Sequence, residues 1–260
     1  MFEVVHDHDC PYLSGVQAKT DYRLMEDCSA EQYNRLLERG WRRFGCTFFR
    51  PICISCSQCR SLRLDLDSFV PSRTMKRTWR KNQDLRVLLQ PASISSSHLN
   101  LYGRYHGDMA DRRGWTEKTI SAGNYVQTFV EGKNDYGYEL LYLEGDKLLA
   151  VALVDILPEA ISAVYCYYDP ELRSRGLGIF SVLMQIELAR RRNIPHLYLG
   201  YWIESNASMR YKATYQPHEL LQGRPSLDDK ALWCLPEHDG ISEESLVLET
   251  SADAFNLDSP

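Results

Sequence analysis

The chain has 260 residues, of which 44% are hydrophobic and 25% charged, and a formal net charge of −5. This length suits one or two globular domains, and no apolar run approaches the roughly 18 to 20 residues that a membrane-spanning helix needs. The first ten residues are polar and do not form a secretory signal. The eight cysteines therefore predict a cytoplasmic protein whose thiols are reduced or metal-bound rather than paired in disulfides.

Basic residues are concentrated in one stretch of this acidic chain. Residues 60–86 carry eight Lys and Arg side chains against three Asp, whereas the tail from Asp228 onward carries nine acidic residues and one lysine. A localised basic face indicates where an anionic partner would bind. The acidic tail over residues 237–260 has too few apolar residues for a core of its own, and we expect it to be disordered.

The N-terminal part of the chain predicts a helix followed by a cysteine-rich loop. Ser29 and Gln32 form a capping-box pattern that begins a helix through Leu37, and Gly40 is expected to end it. Three cysteines then recur at two-residue gaps, and a fourth lies near the N-terminus. Thiolates at this spacing can hold a metal ion or an iron–sulfur cluster, which makes a candidate set of Cys10, Cys53, Cys56 and Cys59. A loop of reduced thiols without metal is the alternative.

A strand and a basic helix are predicted next. The segment from Leu62 to Asp67 alternates strictly between apolar and polar residues, as in a half-buried strand. Ser72 begins a helix whose Met75 and Trp79, four residues apart, would pack on the body of the protein. The other face is strongly basic and could either contact phosphates or simply face solvent. Its residues include Lys76, Arg77, Arg80 and Lys81.

The second half of the chain predicts an α/β domain over residues 94–236, separated from residues 1–93 by a Ser-rich connection over 91–97. A helix is expected from about His98 to Arg113. Short apolar runs then predict strands over 126–130, 138–143, 148–156 and 161–168, with a hairpin turn at 144–147. A long helix to about residue 192, a strand over 196–201 and a short helix over 207–212 complete the pattern.

A glycine-containing loop precedes the long helix. Its sequence is Arg173-Ser-Arg-Gly-Leu-Gly178, and it leads from a predicted strand to a helix N-terminus, where backbone N–H groups and the helix dipole favour a phosphate. The order strand hairpin, strand, Arg/Gly loop, helix and strand resembles the pyrophosphate loop of the GNAT acyltransferase superfamily. An ordinary strand-to-helix turn is the alternative.

Motifs along the chain carry a more specific resemblance. They are Cys10-Pro-Tyr-Leu, Arg50-Pro-x-Cys, Tyr165-Cys-Tyr-Tyr-Asp-Pro and the segment from Tyr198 to Pro217. In this order and spacing they resemble the aminoacyl-tRNA–protein transferases, the family of arginyltransferases and bacterial aspartate/glutamate leucyltransferases. The likeness extends from about residue 10 to residue 221, and the Cys-x-x-Cys-x-x-Cys form is similar to the bacterial leucyl branch.

The resemblance implies a GNAT-like α/β transferase domain with a smaller cysteine-bearing N-terminal domain. It implies transfer of leucine from leucyl-tRNA to the α-amine of proteins that begin with Asp or Glu, which marks them for degradation in the N-degron pathway. Arginyl transfer from arginyl-tRNA is the close alternative. Rivals from other classes are a coenzyme A-dependent N-acetyltransferase and a metal-dependent nucleic-acid-binding module. The only cofactor to consider is an iron–sulfur cluster or zinc at the cysteines, and no membrane contact is expected.

The resemblance also implies binding roles for individual residues. Arg50 and Lys212 would pair with the acidic side chain of the acceptor, since a guanidinium or ammonium group matches a carboxylate. The basic helix, through Lys76, Arg77, Arg80 and Lys81, would contact tRNA phosphates. The 3′-terminal phosphates of the tRNA would lie on the glycine-containing loop, at Arg173, Arg175, Gly176 and Gly178.

Three further residues are candidates for catalysis. Tyr168 and Tyr201 end strands that should face the acyl site, although core packing is the alternative for each. Asp155 is an acid within an apolar strand, and it could instead be the buried partner of an arginine. An amine that attacks an ester needs mainly positioning and a proton acceptor, and no Ser or Cys nucleophile is required.

Overall fold

The computed structural model describes residues 2–116 and 120–236, and the predicted acidic tail over residues 237–260 lies outside the described residues. A four-stranded antiparallel sheet forms the N-terminal part. Its strands are β1 (Phe2–Asp9), β2 (Gln17–Leu24), β3 (Arg42–Phe44) and β4 (Thr47–Pro51), in the order β1-β2-β4-β3. Helix α1 (Ala30–Glu38) connects β2 to β3. Its predicted capping box is confirmed, since Ser29 and Gln32 each accept a hydrogen bond from the backbone N–H of the other.

A second, eight-stranded sheet has the order β12-β11-β5-β10-β9-β8-β7-β6. Its strands are β5 (Arg60–Asp65), β6 (Arg86–Pro91), β7 (Gly137–Glu144), β8 (Lys147–Ile156), β9 (Ala160–Tyr168), β10 (His196–Trp202), β11 (Glu219–Leu221) and β12 (Trp233–Cys234). Strands β9 and β10 are parallel and the other neighbours pair antiparallel. This mixed sheet with its helices confirms the predicted α/β class.

Helices cover both faces of the large sheet. They are α2 (Arg73–Lys81), α3 (Ser96–Arg113), α4 (Ala122–Tyr125) and α5 (Leu177–Arg191), with 3-10 helices over Pro170–Arg175 and Arg210–Thr214. Along β8, Val151 and Leu153 pack with the α3 side, whereas Ala150 and Ala152 pack with Phe180 of α5. Because successive side chains of a strand point to opposite faces, both faces of β8 are buried, which explains the apolar run over residues 148–154.

The hairpin of β7 and β8, the strand β9, the loop, the helix α5 and the parallel strand β10 follow one another in the order that the acyltransferase resemblance predicts. No described helix is both long enough and apolar enough to cross a membrane.

Two of the predicted elements differ in the structure. The strand predicted over 126–130 is wrong, since Val126–Val130 forms a π-helical turn that continues α4. A five-residue stretch with three apolar side chains does not distinguish a strand from a buried helical segment. Here Ser121 caps α4, and Tyr125 and Phe129, four residues apart, are buried in one aromatic cluster. The short helix predicted over 207–212 is a 3-10 helix that begins later, at Arg210.

The large sheet takes strands from both sides of residue 93. Strands β5 and β6 precede that residue, yet β5 pairs with β10 and β6 pairs with β7. The division into domains at residue 93 stays a prediction, and a boundary drawn between the two sheets would fall between Pro51 and Arg60 instead.

Candidate active site

The parallel strands of the large sheet separate toward their carboxyl ends. β9 and β10 pair over Ala160–Ser162 and His196–Tyr198. Past this register, the described residues of β9 pair with β8, and those of β10 pair with β5. Ligands of open α/β sheets bind outside the carboxyl ends of the strands, where neighbouring strands part. The ends of β9 and β10, near Tyr168 and Tyr201, are therefore a candidate site, here called the strand cleft.

The glycine-containing loop follows the end of β9 and leads into α5. Gly176 has φ +68°, in the left-handed region that favours glycine, and α5 begins at the next residue. A Cβ added to Gly178 would lie 3.5 Å from the Tyr168 ring, an ordinary contact distance, so this ring lies beside the helix N-terminus. The loop arginines are already paired: Arg173 with Asp108, and Arg175 with Asp84 and Glu144. Their predicted phosphate contacts would compete with these carboxylates.

The basic helix α2 lies directly against this loop. Lys81 Nζ donates to the Ser174 carbonyl at 2.6 Å, and Asn82 donates to the Arg175 carbonyl at 2.9 Å. Trp79 packs on Phe180 of α5 with 5.6 Å between ring centroids, which confirms that the Trp79 side of α2 faces the protein. The sequence-predicted charges are thereby brought onto one surface beside the loop, with Lys76 half-buried and the rest exposed: Arg77, Arg80 and Lys81.

A pocket of about 680 Å³ lies where the two sheets meet. We call it the arginine pocket, because its wall contains Arg39, Arg50, Arg60 and Arg224, together with the cysteine loop over residues 53–59. None of the described residues that line it is Asp or Glu. Four guanidinium groups around an acid-free cavity make a site for an anion.

Three of the four arginines have no salt bridge to Asp or Glu among the described residues, whereas Arg39 pairs with Glu38 at 3.4 Å and donates to backbone carbonyls. Arg50 lies over the Trp41 ring at 5.0 Å and donates to the carbonyls of Arg39 and Pro225. Its Nε is buried without a hydrogen-bond partner among the described residues. Burial lowers the pKa of Arg50, and the carboxylate of Asp21, the cross-strand neighbour of Arg50, opposes this shift. Arg60 lies over the Trp202 ring at 4.7 Å. A bound carboxylate would complete the hydrogen bonding of Arg50.

Arg224 holds the cysteine loop in place. Its guanidinium donates to the carbonyls of Cys53 at 2.7 Å and Cys56 at 2.8 Å. Burial, together with the other thiols, raises the pKa of Cys59 to about 12, so this thiol is protonated at neutral pH.

The four predicted metal ligands do not form a metal-binding set in this structure. Within residues 2–116 and 120–236, no group of three or more His, Cys, Asp or Glu side chains is placed to hold a metal ion. The four thiols instead share the wall of a second pocket: Cys10, Cys53, Cys56 and Cys59. The metal or iron–sulfur site stays a prediction from the sequence.

Two buried basic side chains, Lys212 and Arg42, lie beside β10. Lys212 Nζ donates to the Tyr201 carbonyl at 2.6 Å. Burial, and then the charge of Arg42, lowers the pKa of Lys212 to about 7. Arg42 is 7% exposed, and two of its guanidinium nitrogens have no hydrogen-bond partner among the described residues. Gly200, at φ +84°, adjoins both side chains, since a Cβ there would lie 3.5 Å from Lys212 Nζ and 3.9 Å from Arg42 Nε.

The second pocket, of about 260 Å³, adjoins the arginine pocket. We call it the apolar pocket, because Leu13, Val16, Ala18 and Phe49 are among its wall residues. Six residues line both pockets: Pro51, Cys53, Cys56, Cys59, Tyr201 and Arg224.

Two family models match the chain. The one described as arginine-tRNA-protein transferase, N terminus, covers residues 8–77, and the one described as arginine-tRNA-protein transferase, C terminus, covers residues 97–222. The chain belongs to this transferase family. The resemblance read from the motifs is thus confirmed.

Curated relatives agree with the family models. The aspartate/glutamate leucyltransferase of Campylobacter jejuni is 40% identical over 228 residues, which are 87% of this transferase and 95% of the relative. That of Helicobacter hepaticus is 38% identical over 224 residues, 86% and 93% of the two chains. Among solved structures, L-PGS from Bacillus licheniformis aligns with 69% of this chain and 54% of its own, with a TM-score of 0.43 and 14% identity.

The catalytic candidates of this transferase have different surroundings. Tyr168 borders the strand cleft. The Tyr201 hydroxyl donates to the Gly40 carbonyl at 2.7 Å and so ties β10 to the N-terminal part. Asp155 is 1% exposed and forms an ion pair with Arg43, and burial raises its pKa while that guanidinium opposes the shift. The structure brings Asp155 to the junction of the sheets rather than into either pocket.

Sequence reasoning missed several residues of the site. They are Arg39 and Arg42, which lie three residues apart, and the distant Arg60 and Arg224, and the fold brings each of them close to Arg50 or Lys212. Arg60 offered a signal, because it directly follows the last cysteine of the motif. Arg224 offered none, since it lies 165 positions beyond Cys59 in a stretch without periodicity.

Proposed function

We propose that this protein transfers leucine from leucyl-tRNA to the α-amine of proteins whose first residue is Asp or Glu, acting in the cytoplasm and marking those proteins for degradation in the N-degron pathway. The observation that carries the proposal is the arginine pocket, which combines four guanidinium groups with an acid-free wall. The names of the relatives, aspartate/glutamate leucyltransferases, support the same donor and acceptor.

The acceptor would bind through its acidic side chain. A guanidinium presents two parallel N–H groups that match a carboxylate in a bidentate pair. Arg50 suits this role because its Nε is buried and lacks a partner among the described residues, and because Trp41 supports the plane of its guanidinium. A neutral amide at the same position of the acceptor would lack the charge that offsets burial of Arg50. The pocket therefore favours Asp and Glu over Asn and Gln.

The donor tRNA would bind along α2 and the adjoining loop. Phosphate contacts from exposed Lys and Arg side chains need no base recognition, which suits an enzyme that must accept the body of a tRNA and read its aminoacyl end. Arg77, Arg80 and Lys81 are exposed on this surface. The N-terminus of α5, next to Gly176, would receive the 3′-terminal phosphates, because its N–H groups and dipole favour an anion.

The reaction joins the acceptor amine to the leucyl carbonyl carbon. The amine attacks the ester carbonyl, an amide C–N bond forms, and the ester C–O bond breaks so that the ribose hydroxyl leaves with a proton. The acceptor ammonium must first lose a proton, so its neutral amine is the nucleophile. Positioning of the two reactants supplies most of the acceleration that such a reaction needs. Tyr168 borders the strand cleft and is our candidate to hold the leaving hydroxyl.

One assay tests this proposal against its alternatives. Purified protein is mixed with radiolabelled leucyl-tRNA and a peptide that begins with Asp, with Glu or with N-acetylated Asp. We expect transfer to the first two peptides and none to the third, because acetylation removes the nucleophile. Arginyl-tRNA in place of leucyl-tRNA tests arginyl transfer. Transfer from acetyl-coenzyme A without transfer from either tRNA would contradict the proposal and favour the acetyltransferase.

A matched pair of variants links the activity to the pocket. Arg50→Gln removes the charge at the pocket wall, whereas Arg113→Gln removes an exposed arginine at the end of α3. We expect the first variant to lose transfer to Asp and Glu peptides and the second to retain it. Equal activity in both variants would show that the arginine pocket does not bind the acceptor.

A further inference from the structure

The apolar pocket has the chemistry of a side-chain pocket. It encloses about 260 Å³ between the connection of β1 to β2, strand β4 and Tyr201. Val16 and Leu13 are half-buried in that connection, and Ala18 is 6% exposed on β2. None of the described residues that line it is Asp or Glu. An aliphatic group could thus be buried here, whereas a cationic one would have no counterion.

The position of the apolar pocket relates it to the transfer reaction. The cysteine loop, Tyr201 and Arg224 form part of both its wall and the wall of the arginine pocket. Two adjoining pockets, one apolar and one cationic, match a reaction in which the donor carries an aliphatic side chain and the acceptor an acidic one. The arginine pocket suits the acceptor carboxylate, which leaves the apolar pocket for the donor.

We propose that the apolar pocket binds the isobutyl side chain of the leucyl group on the donor tRNA, and that its lack of an acidic residue excludes an arginyl group. This inference rests on the proposed function and identifies the part of the site that selects the amino acid. A hydrophobic pocket that merely fits a side chain discriminates by roughly 10- to 200-fold per methylene group. Rejection of arginine is stronger in principle, because a buried guanidinium without a partner is unfavourable.

The test introduces an acid into the pocket wall. Val16→Asp adds a carboxylate, and Val16→Asn is the matched control with nearly the same shape and no charge. Rates of transfer to one Asp-leading peptide are measured from leucyl-tRNA and from arginyl-tRNA at equal concentrations. We expect Val16→Asp to lower leucyl transfer and to raise the arginine-to-leucine ratio at least tenfold above that of Val16→Asn. Binding of uncharged tRNA should stay unchanged in both variants.

A second position in the pocket wall provides an independent test in case a Val16 variant does not fold. Leu13→Asp and Leu13→Asn alter the same connection between β1 and β2, and thermal melting of each variant identifies any that is unfolded. If the wild-type protein transfers leucine while both Asp variants keep its arginine-to-leucine ratio, the inference is overturned and the proposed function stands. If the wild-type protein transfers no leucine at all, the proposed function fails and the inference with it.

Discussion

Replacing Asp155 by Asn should destabilise the fold strongly. The carboxylate is 1% exposed and accepts from Nε of Arg43 at 3.0 Å and from a second guanidinium nitrogen, while the third donates to the Gly45 carbonyl at 2.8 Å. Removing one member of a buried ion pair costs about 3 to 5 kcal/mol, because the other charge remains buried without a partner. For a chain of this size each kcal/mol lowers the melting temperature by roughly 2 to 4 °C. The expected decrease is therefore roughly 6 to 20 °C.

Calorimetry of single and double variants measures this effect. The double variant Arg43→Met with Asp155→Leu replaces the pair by apolar side chains of similar size, and it should recover most of the stability that Asp155→Asn loses. Transfer activity is then compared well below each melting temperature. If Asp155 is structural, folded Asp155→Asn should keep its activity. A melting temperature within 2 °C of the wild type, with activity abolished, would refute the structural reasoning and support the catalytic role predicted from the sequence.

Three other outcomes are expected. Four α2 residues are changed to Ala: Lys76, Arg77, Arg80 and Lys81. The slope of log tRNA affinity against log salt concentration should become smaller by roughly 0.7 to 0.9 per lost phosphate contact. Filter binding over a salt series measures this slope, and an unchanged slope would show that the basic face is only solvated. Arg50→Lys should raise KM for Asp and Glu peptides by roughly tenfold or more, because a hydrogen bond to a charged group contributes about 1.5 to 3 kcal/mol. An equal loss of tRNA affinity would contradict the role of Arg50 as the acceptor anchor. Folding lowers the pKa of Lys212 from 10.5 to about 7, so between these pH values the unfolded chain binds more protons than the folded one. The stability of the wild type relative to Lys212→Met should therefore rise from about pH 7 to pH 10.5, by up to roughly 1.4 kcal/mol per pH unit. Denaturant titrations at several pH values measure this difference in stability, and a difference that does not change with pH would contradict the prediction.

The elements that the sequence predicted well are those with strong local signals. The capping box at Ser29 begins α1, and the alternation from Leu62 marks β5, since Leu62 and Leu64 are fully buried. The β1–β2 hairpin was missed because most of β1 is exposed on both faces and shows no apolar alternation. The π-helical turn was missed because its apolar residues are too few to show a period.

The pockets could not be predicted from local patterns, because they depend on long-range contacts. Arg50 and the cysteine loop were recognised from motifs, yet the arginine pocket also needs Arg224 and the apolar pocket needs Val16. The surroundings of Arg175 also depend on long-range contacts. Its place in a phosphate-type loop suggested a ligand contact, whereas the fold surrounds its guanidinium with Asp84 and Glu144, neither of which adjoins it in the chain.

The bonds from Arg224 to the cysteine loop have a consequence for biosynthesis. Arg224 lies 171 residues after Cys53 and 168 residues after Cys56, the residues whose carbonyls it binds. A ribosome makes the chain from the N-terminus at roughly 5 to 20 residues per second, so the loop waits on the order of ten seconds or more for its partner. Both pockets include Arg224 in their walls. A nascent chain that has not yet reached residue 224 therefore lacks part of the wall of both pockets, and the cysteine loop lacks the side chain that holds it.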